Sequence, residues 1–198
     1  VIKITGVEKL HGNATYSVVP DQIEAGTFML AAIASKGDLL IKNCITKHLE
    51  ALTAKILEIG GNVEDYGDSI RVWYSKRPNK TNIKTLPYPG FPTDLQPQMG
   101  VVLATANGTS IINESIWESR FQYTAELNNM GAKIRGAGTS SIEIEGVDYL
   151  GKCFHEVIPD RIEAGTYVII GALLGENLTI KNLIPSHIES LTSKLIEA

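Results

Sequence analysis

The sequence predicts an α/β fold assembled from three copies of a strand-helix-strand-helix-hairpin repeat, and three observations predict it. Pro20-Asp21-Gln22-Ile23-Glu24-Ala25-Gly26-Thr27 returns 139 residues later as Pro159-Asp160-Arg161-Ile162-Glu163-Ala164-Gly165-Thr166. That offset is too long for a solenoid repeat, and a more diverged copy lies halfway. There, Pro92-Thr93-Asp94, an apolar run and Gly108-Thr109 answer Pro20-Asp21, its apolar run and Gly37-Asp38; Met130-Gly131-Ala132 answers Ile59-Gly60-Gly61. Within each copy the apolar pattern alternates between helical and strand periods. The 198 residues therefore read as a single domain of repeats 1–73, 74–141 and 142–198.

In the first repeat a helix starts after Pro20-Asp21, where a carboxylate suits the orphan amides and dipole of a first turn. Ile23, Phe28, Met29, Leu30 and Ile33 run almost all the way round it, as in a helix buried on most sides. Gly37-Asp38 stops it, and 39–41 is a short strand. A second helix over 49–59 puts Leu52, Ile56 and Ile59 on one face and Lys55 and Glu58 on the other, and Gly60-Gly61 suits its left-handed cap. Residues 63–66, a Gly67-Asp68 turn and 69–73 form the closing hairpin. The third copy ends within its second helix at Ala198, and residues 1–7, which match 141–147, are expected to replace part of its hairpin.

Composition excludes several classes. A net charge of −4 gives no basic surface for nucleic acid. The longest apolar stretch, 167–174, is far short of the roughly 20 residues that cross a bilayer. With no signal-peptide pattern at the N-terminus, a cytoplasmic protein without a membrane partner is expected. Cys44 and Cys153 sit in apolar, strand-like contexts without metal spacing and read as reduced, partly buried thiols. The four histidines are scattered, no phosphate loop, dinucleotide fingerprint or nucleophile elbow is present, and no metal or cofactor is called for.

Five motifs occur in order: GVEKLHG (Gly6 to Gly12), PDQIEAGTF (Pro20 to Phe28), KRP (Lys76 to Pro78), PGFPTDLQPQ (Pro89 to Gln98) and ESRF (Glu118 to Phe121). Through them residues 1–141 resemble, nearly without gaps, one half of the UDP-N-acetylglucosamine 1-carboxyvinyltransferase family of enolpyruvyl transferases. The resemblance implies one domain of three βαβαββ units about a pseudo-threefold axis, an inside-out α/β barrel. It also implies transfer of the enolpyruvyl group of phosphoenolpyruvate to the 3-hydroxyl of UDP-N-acetylglucosamine in peptidoglycan synthesis, with a second domain as partner. By resemblance Asp94 matches the general base, and Thr93, Ile116 and Trp117 the nucleotide-sugar site. Arg120, Asp21 and Asp160 match charged residues of the interdomain cleft. On the residues alone, Asp21 and Asp160 equally suit helix caps, and Arg120 a surface ion pair.

The chain also departs from the family. The glycine-rich cysteine loop and the lysine that family members use on phosphoenolpyruvate are absent from its residues. Its third repeat carries Pro159-Asp160-Arg161-Ile162-Glu163-Ala164 where the family has a TDLRA-type segment, and His187-Ile188-Glu189-Ser190 in place of an HIDRG-type turn. Two readings follow: a transferase domain inactive in isolation, or a non-catalytic structural or nucleotide-sugar-binding module.

Overall fold

In a computed structural model the protein is described at every residue except Asn13. It divides into two compact units, Val1–Lys152 and Cys153–Ala198.

The first unit holds two repeats. The first comprises α1 (Gln22–Ala34), β1 (Asp38–Lys42), α2 (Glu50–Glu58), β2 (Asn62–Asp65) and β3 (Ser69–Trp73). Its antiparallel sheet has the order β1-β3-β2. The second comprises β4 (Ile83–Lys84), α3 (Gln96–Ala104), β5 (Thr109–Asn113), α4 (Thr124–Asn129), β6 (Lys133–Arg135) and β7 (Ser141–Glu145). Its sheet has the order β4-β5-β7-β6, with β4 parallel to β5 and the other pairs antiparallel. β7 thus lies between β5 and β6 and runs to Glu145.

The local reasons are those the residues announce. Asp21 caps α1 by accepting the Ile23 amide at 2.7 Å. Gly60 takes φ +96° after α2, and the amides of Gly60 and Gly61 return to the carbonyls of Leu57 and Ile56. Alternation buries Ile70 and Val72 in β3 and Ile142 and Ile144 in β7. Under these sheets α1 packs closely at Gly26 against α2 and the turn that leads into α3, where a Cβ would fall 2.5 Å from Leu95 Cδ1 and 3.0 Å from Leu52 Cδ2. Met29, Ile33, Leu52, Ile56, Leu95 and Met99 complete a dry core. Phe28 is half exposed, so α1 is not buried all round.

Arg77 of the KRP segment joins the end of α3 to the exit of β7. Its Nε donates to the Thr105 carbonyl at 3.0 Å, and Nη2 to the carbonyls of Ala106 (3.0 Å) and Gly146 (3.3 Å). Nη1 donates to Asp148 at 2.6 Å. Gly146 makes this approach possible, because a Cβ there would lie 1.8 Å from the Ala106 carbonyl oxygen.

The second unit contains α5 (Arg161–Leu174) and α6 (Glu189–Glu197). Asp160 caps α5 as Asp21 caps α1, and Gly165 faces Leu191 as Gly26 faces Leu52. Two expectations fail here. Residues 1–7 form no strand, and neither do residues 178–181, the counterpart of β1. In the first unit β1 pairs with β3; residues 178–181 pair with no strand among the described residues. Among the described residues no strand precedes α1 either, and the first sheet has three members. Cys44 is buried as expected but outside any strand, whereas Cys153 is exposed.

Arg77→Ala strips a charged donor from three carbonyls and should lower unfolding free energy by about 2 kcal/mol in urea melts. Gln96 is fully buried and neither amide atom has a protein partner. Gln96→Met removes that unpaired amide at similar volume, and should raise stability by about 1 kcal/mol in the same melts.

Candidate functional site

The candidate site lies at one end of the second repeat's sheet, where β4 and β5 end and the short 3-10 turn Thr93–Leu95 leads into α3. Leu95 is buried against Gly26 and Leu52, which anchors the turn. Asp94, one residue earlier, is thereby held at the surface. Its carboxylate accepts from Arg120 Nη2 at 2.5 Å, the two side chains being 56% and 28% exposed. Asp94 makes no cap: the capping expected of a carboxylate at a helix start is replaced by the ion pair. It is not buried either, because the turn leaves it facing solvent while Leu95 takes the core position.

Beside this pair, residues 114–121 and the turn 138–140 enclose a cleft of about 460 Å³. Ile116, Trp117 and Arg120 all line it, and Trp117 is 62% exposed. Thr93 and Asp94 do not line it: Asp94 is tied to it through Arg120, and Thr93 through Glu114. Asp21 lies apart, in a pocket of about 310 Å³ with Glu24, Phe28 and Lys42. Asp160 lies in the second unit, in the matching pocket of about 290 Å³ with Glu163, Tyr167 and Lys181. Both aspartates are helix caps, the alternative their position allowed.

The residue that organises the cleft is Glu114, which sequence reasoning did not single out. It follows β5 and is only 5% exposed. Oε1 accepts from Thr85 Oγ1 (2.8 Å), the Ile116 amide (2.8 Å) and the Trp117 amide (3.2 Å). Oε2 accepts from Thr93 Oγ1 at 2.8 Å. Its own amide donates to the Ser140 carbonyl at 2.8 Å. Thr85, itself fully buried, also accepts the Ser115 amide, and the Ser115 hydroxyl donates to the Thr85 carbonyl. Burial alone pushes the Glu114 carboxyl up; the hydrogen bonds from Thr85, Ile116, Thr93 and Trp117 outweigh it and hold the group below its ordinary 4.5. No cation pairs with it among the described residues. Nearby, burial pushes the Tyr123 hydroxyl upward, and the negative charge of Glu114 adds to that. The only sequence signal for Glu114 was an acidic residue directly after an apolar strand.

A site of this kind joins an exposed carboxylate and guanidinium to an aromatic wall over a buried anion, on an α/β scaffold. The family model described as EPSP synthase (3-phosphoshikimate 1-carboxyvinyltransferase) matches residues 1–137 and again 127–198, and the chain belongs to that carboxyvinyl transferase family. It is 49% identical to the UDP-N-acetylglucosamine 1-carboxyvinyltransferase of Clostridium botulinum, over 90% of this chain and 42% of that protein. It is 46% identical to the Desulfofundulus thermocisternus protein of the same name, over 90% of this chain and 72% of that one. It thus spans about two fifths of the length of the first of these relatives. The enolpyruvyl transferase NikO from Streptomyces tendae shares the fold, with a TM-score of 0.59 at 22% identity over 65% of this chain and 31% of NikO.

A carboxylate whose folded pKa is depressed adds stability that is complete above its unfolded value and is lost as pH falls through the folded one. The stability difference between wild type and Glu114→Gln should therefore be constant near neutrality and shrink between about pH 5 and pH 3, read from urea midpoints across that range.

Proposed function

We propose that this chain supplies one of the two domains of a UDP-N-acetylglucosamine 1-carboxyvinyltransferase. The observation that carries the reading is a cleft lined by Ile116, Trp117 and Arg120, with Asp94 paired to that arginine and Thr93 bonded to Glu114, added to 49% identity with a protein of that name. In this reading the sugar lies over Ile116 and Trp117 with its 3-hydroxyl toward Asp94. Asp94 accepts the hydroxyl proton as the oxygen adds to the phosphate-bearing enol carbon while a proton from the second domain's acid reaches the methylene carbon; loss of that proton with departure of phosphate restores the double bond. Arg120, now on Asp94, turns its fork to the developing anionic charge, where a guanidinium suits phosphate or carboxylate.

The reading extends to the architecture. The complete domain would hold three βαβαββ repeats about a pseudo-threefold axis, the second being realised as β4-α3-β5-α4-β6-β7. The reacting site needs a second domain, which brings the cysteine and lysine that act on phosphoenolpyruvate. The setting proposed is the cytoplasm, where both substrates occur; no described helix is long and apolar enough to cross a membrane. With Ile162 where the family places an arginine, the chain on its own is expected to bind nucleotide-sugar without turnover.

Titrating the ¹⁵N-labelled chain with UDP-N-acetylglucosamine should give saturable amide shifts at Thr93, Ile116 and Trp117; none at saturating ligand would overturn the reading. With a complementary domain from a relative supplied, Asp94→Asn should lower the rate of phosphate release from phosphoenolpyruvate by at least about 100-fold, with little change in substrate affinity.

A further inference from the structure

We propose that Glu114 is a positioning residue, whose buried carboxylate holds the Asp94 turn and the Ile116–Trp117 wall in one frame for the nucleotide-sugar. The inference rests on the functional reading above and assigns a role to a residue that touches no substrate in it.

Three features carry it. First, the carboxylate joins one wall of the cleft to the neighbouring turn that carries Asp94. Oε2 holds Thr93, the residue before Asp94, and Oε1 holds the amides of Ile116 and Trp117. Both distances come from one rigid group, so the spacing between the proposed base and the proposed sugar platform is set by a single side chain. Second, Glu114 is joined to the remaining wall through its own backbone, whose amide donates to Ser140. Third, it is a buried anion without a counter-cation among the described residues, an arrangement tolerated only where every oxygen is solvated by fixed donors. A core position asks for an apolar side chain instead. Its task differs from that of Arg120, which pairs with Asp94 directly, whereas Glu114 holds the preceding residue, Thr93.

The arrangement also predicts which substitutes work. In Glu114→Gln the amide oxygen keeps the Ile116, Trp117 and Thr85 donors, while its NH₂ donates to a Thr93 hydroxyl that rotates to accept. Glu114→Asp keeps the charge but is one methylene too short to reach both the wall and the turn. Glu114→Ala leaves four donors without a partner.

The test uses the full ¹⁵N-labelled chain, UDP-N-acetylglucosamine titration and amide hydrogen exchange. Glu114→Ala is expected to weaken binding at least tenfold and Glu114→Gln to stay within threefold of wild type. Exchange in Glu114→Ala should accelerate at Ile116 and Trp117 and remain unchanged in β5 and β7. Wild-type affinity in Glu114→Ala, or acceleration spread evenly through β5 and β7, overturns the proposal. If Glu114→Ala does not fold, Glu114→Asp carries the same two readouts: weakened binding with faster exchange at Ile116 and Trp117 is expected, and wild-type affinity or evenly spread acceleration overturns the proposal. If wild type itself binds no nucleotide-sugar, the functional reading fails and takes with it the ligand in this proposal; the frame is then judged on exchange alone, and unaltered exchange at Ile116 and Trp117 overturns it.

Discussion

The close approach at Gly26 of α1 to α2 and to the turn that leads into α3 is the constraint on which the rest of the first unit depends. With no Cβ on Gly26, Leu95 and Leu52 close over the helix, and a methyl added there would stand 2.5 Å from Leu95. Leu95 belongs to the turn that carries Thr93 and Asp94, so the depth to which the leucine sinks decides where the carboxylate emerges. Packing in the dry core thereby sets the position of a polar group at the surface. Leu95 and Leu52 are each 1% exposed, which leaves little slack in that linkage.

Polar groups complete the frame where apolar packing ends. Arg77 gathers three carbonyls from the end of α3 and the exit of β7, and Glu114 gathers four donors, two from the cleft wall and two from the segments of Thr85 and Thr93. The two are complementary solutions to one problem. Loops that cross between sheet and helix leave backbone groups without ladder partners, and a buried or half-buried charged side chain with several bonding positions satisfies them together. Each also fixes segments far apart in sequence: Arg77 lies 71 residues from Asp148, and Glu114 lies 29 from Thr85.

Much of the fold was legible because it rests on short-range chemistry. Asp21 and Asp160 cap helices through their own neighbouring amides, Gly60 takes a positive φ that glycine adopts readily, and period-two burial marks β3 and β7. The cleft was legible only in part. Resemblance picked out Ile116, Trp117 and Arg120, which line one cleft, Thr93 and Asp94, which are bonded to residues of its lining, and Asp21 and Asp160, which cap helices. Glu114 escaped notice because nothing local distinguishes a glutamate that ends a strand facing water from one that turns inward. The strands expected at 1–7 and 178–181 failed for a related reason. A strand is stable only through its neighbour, and no local pattern reports whether that neighbour is there.

The sequence by itself determined the repeat, the starts and stops of its helices, the faces that turn inward and the family to which the chain belongs. These follow from side-chain size, backbone freedom and spacing, which act over a few residues. The tertiary structure alone decided that Arg120 meets Asp94, that Arg77 is a staple and that the anion beneath the cleft is Glu114. Each of those depends on groups 26 or more residues apart, or on whether a charge is buried, and only the folded chain sets such distances and the desolvation that goes with them.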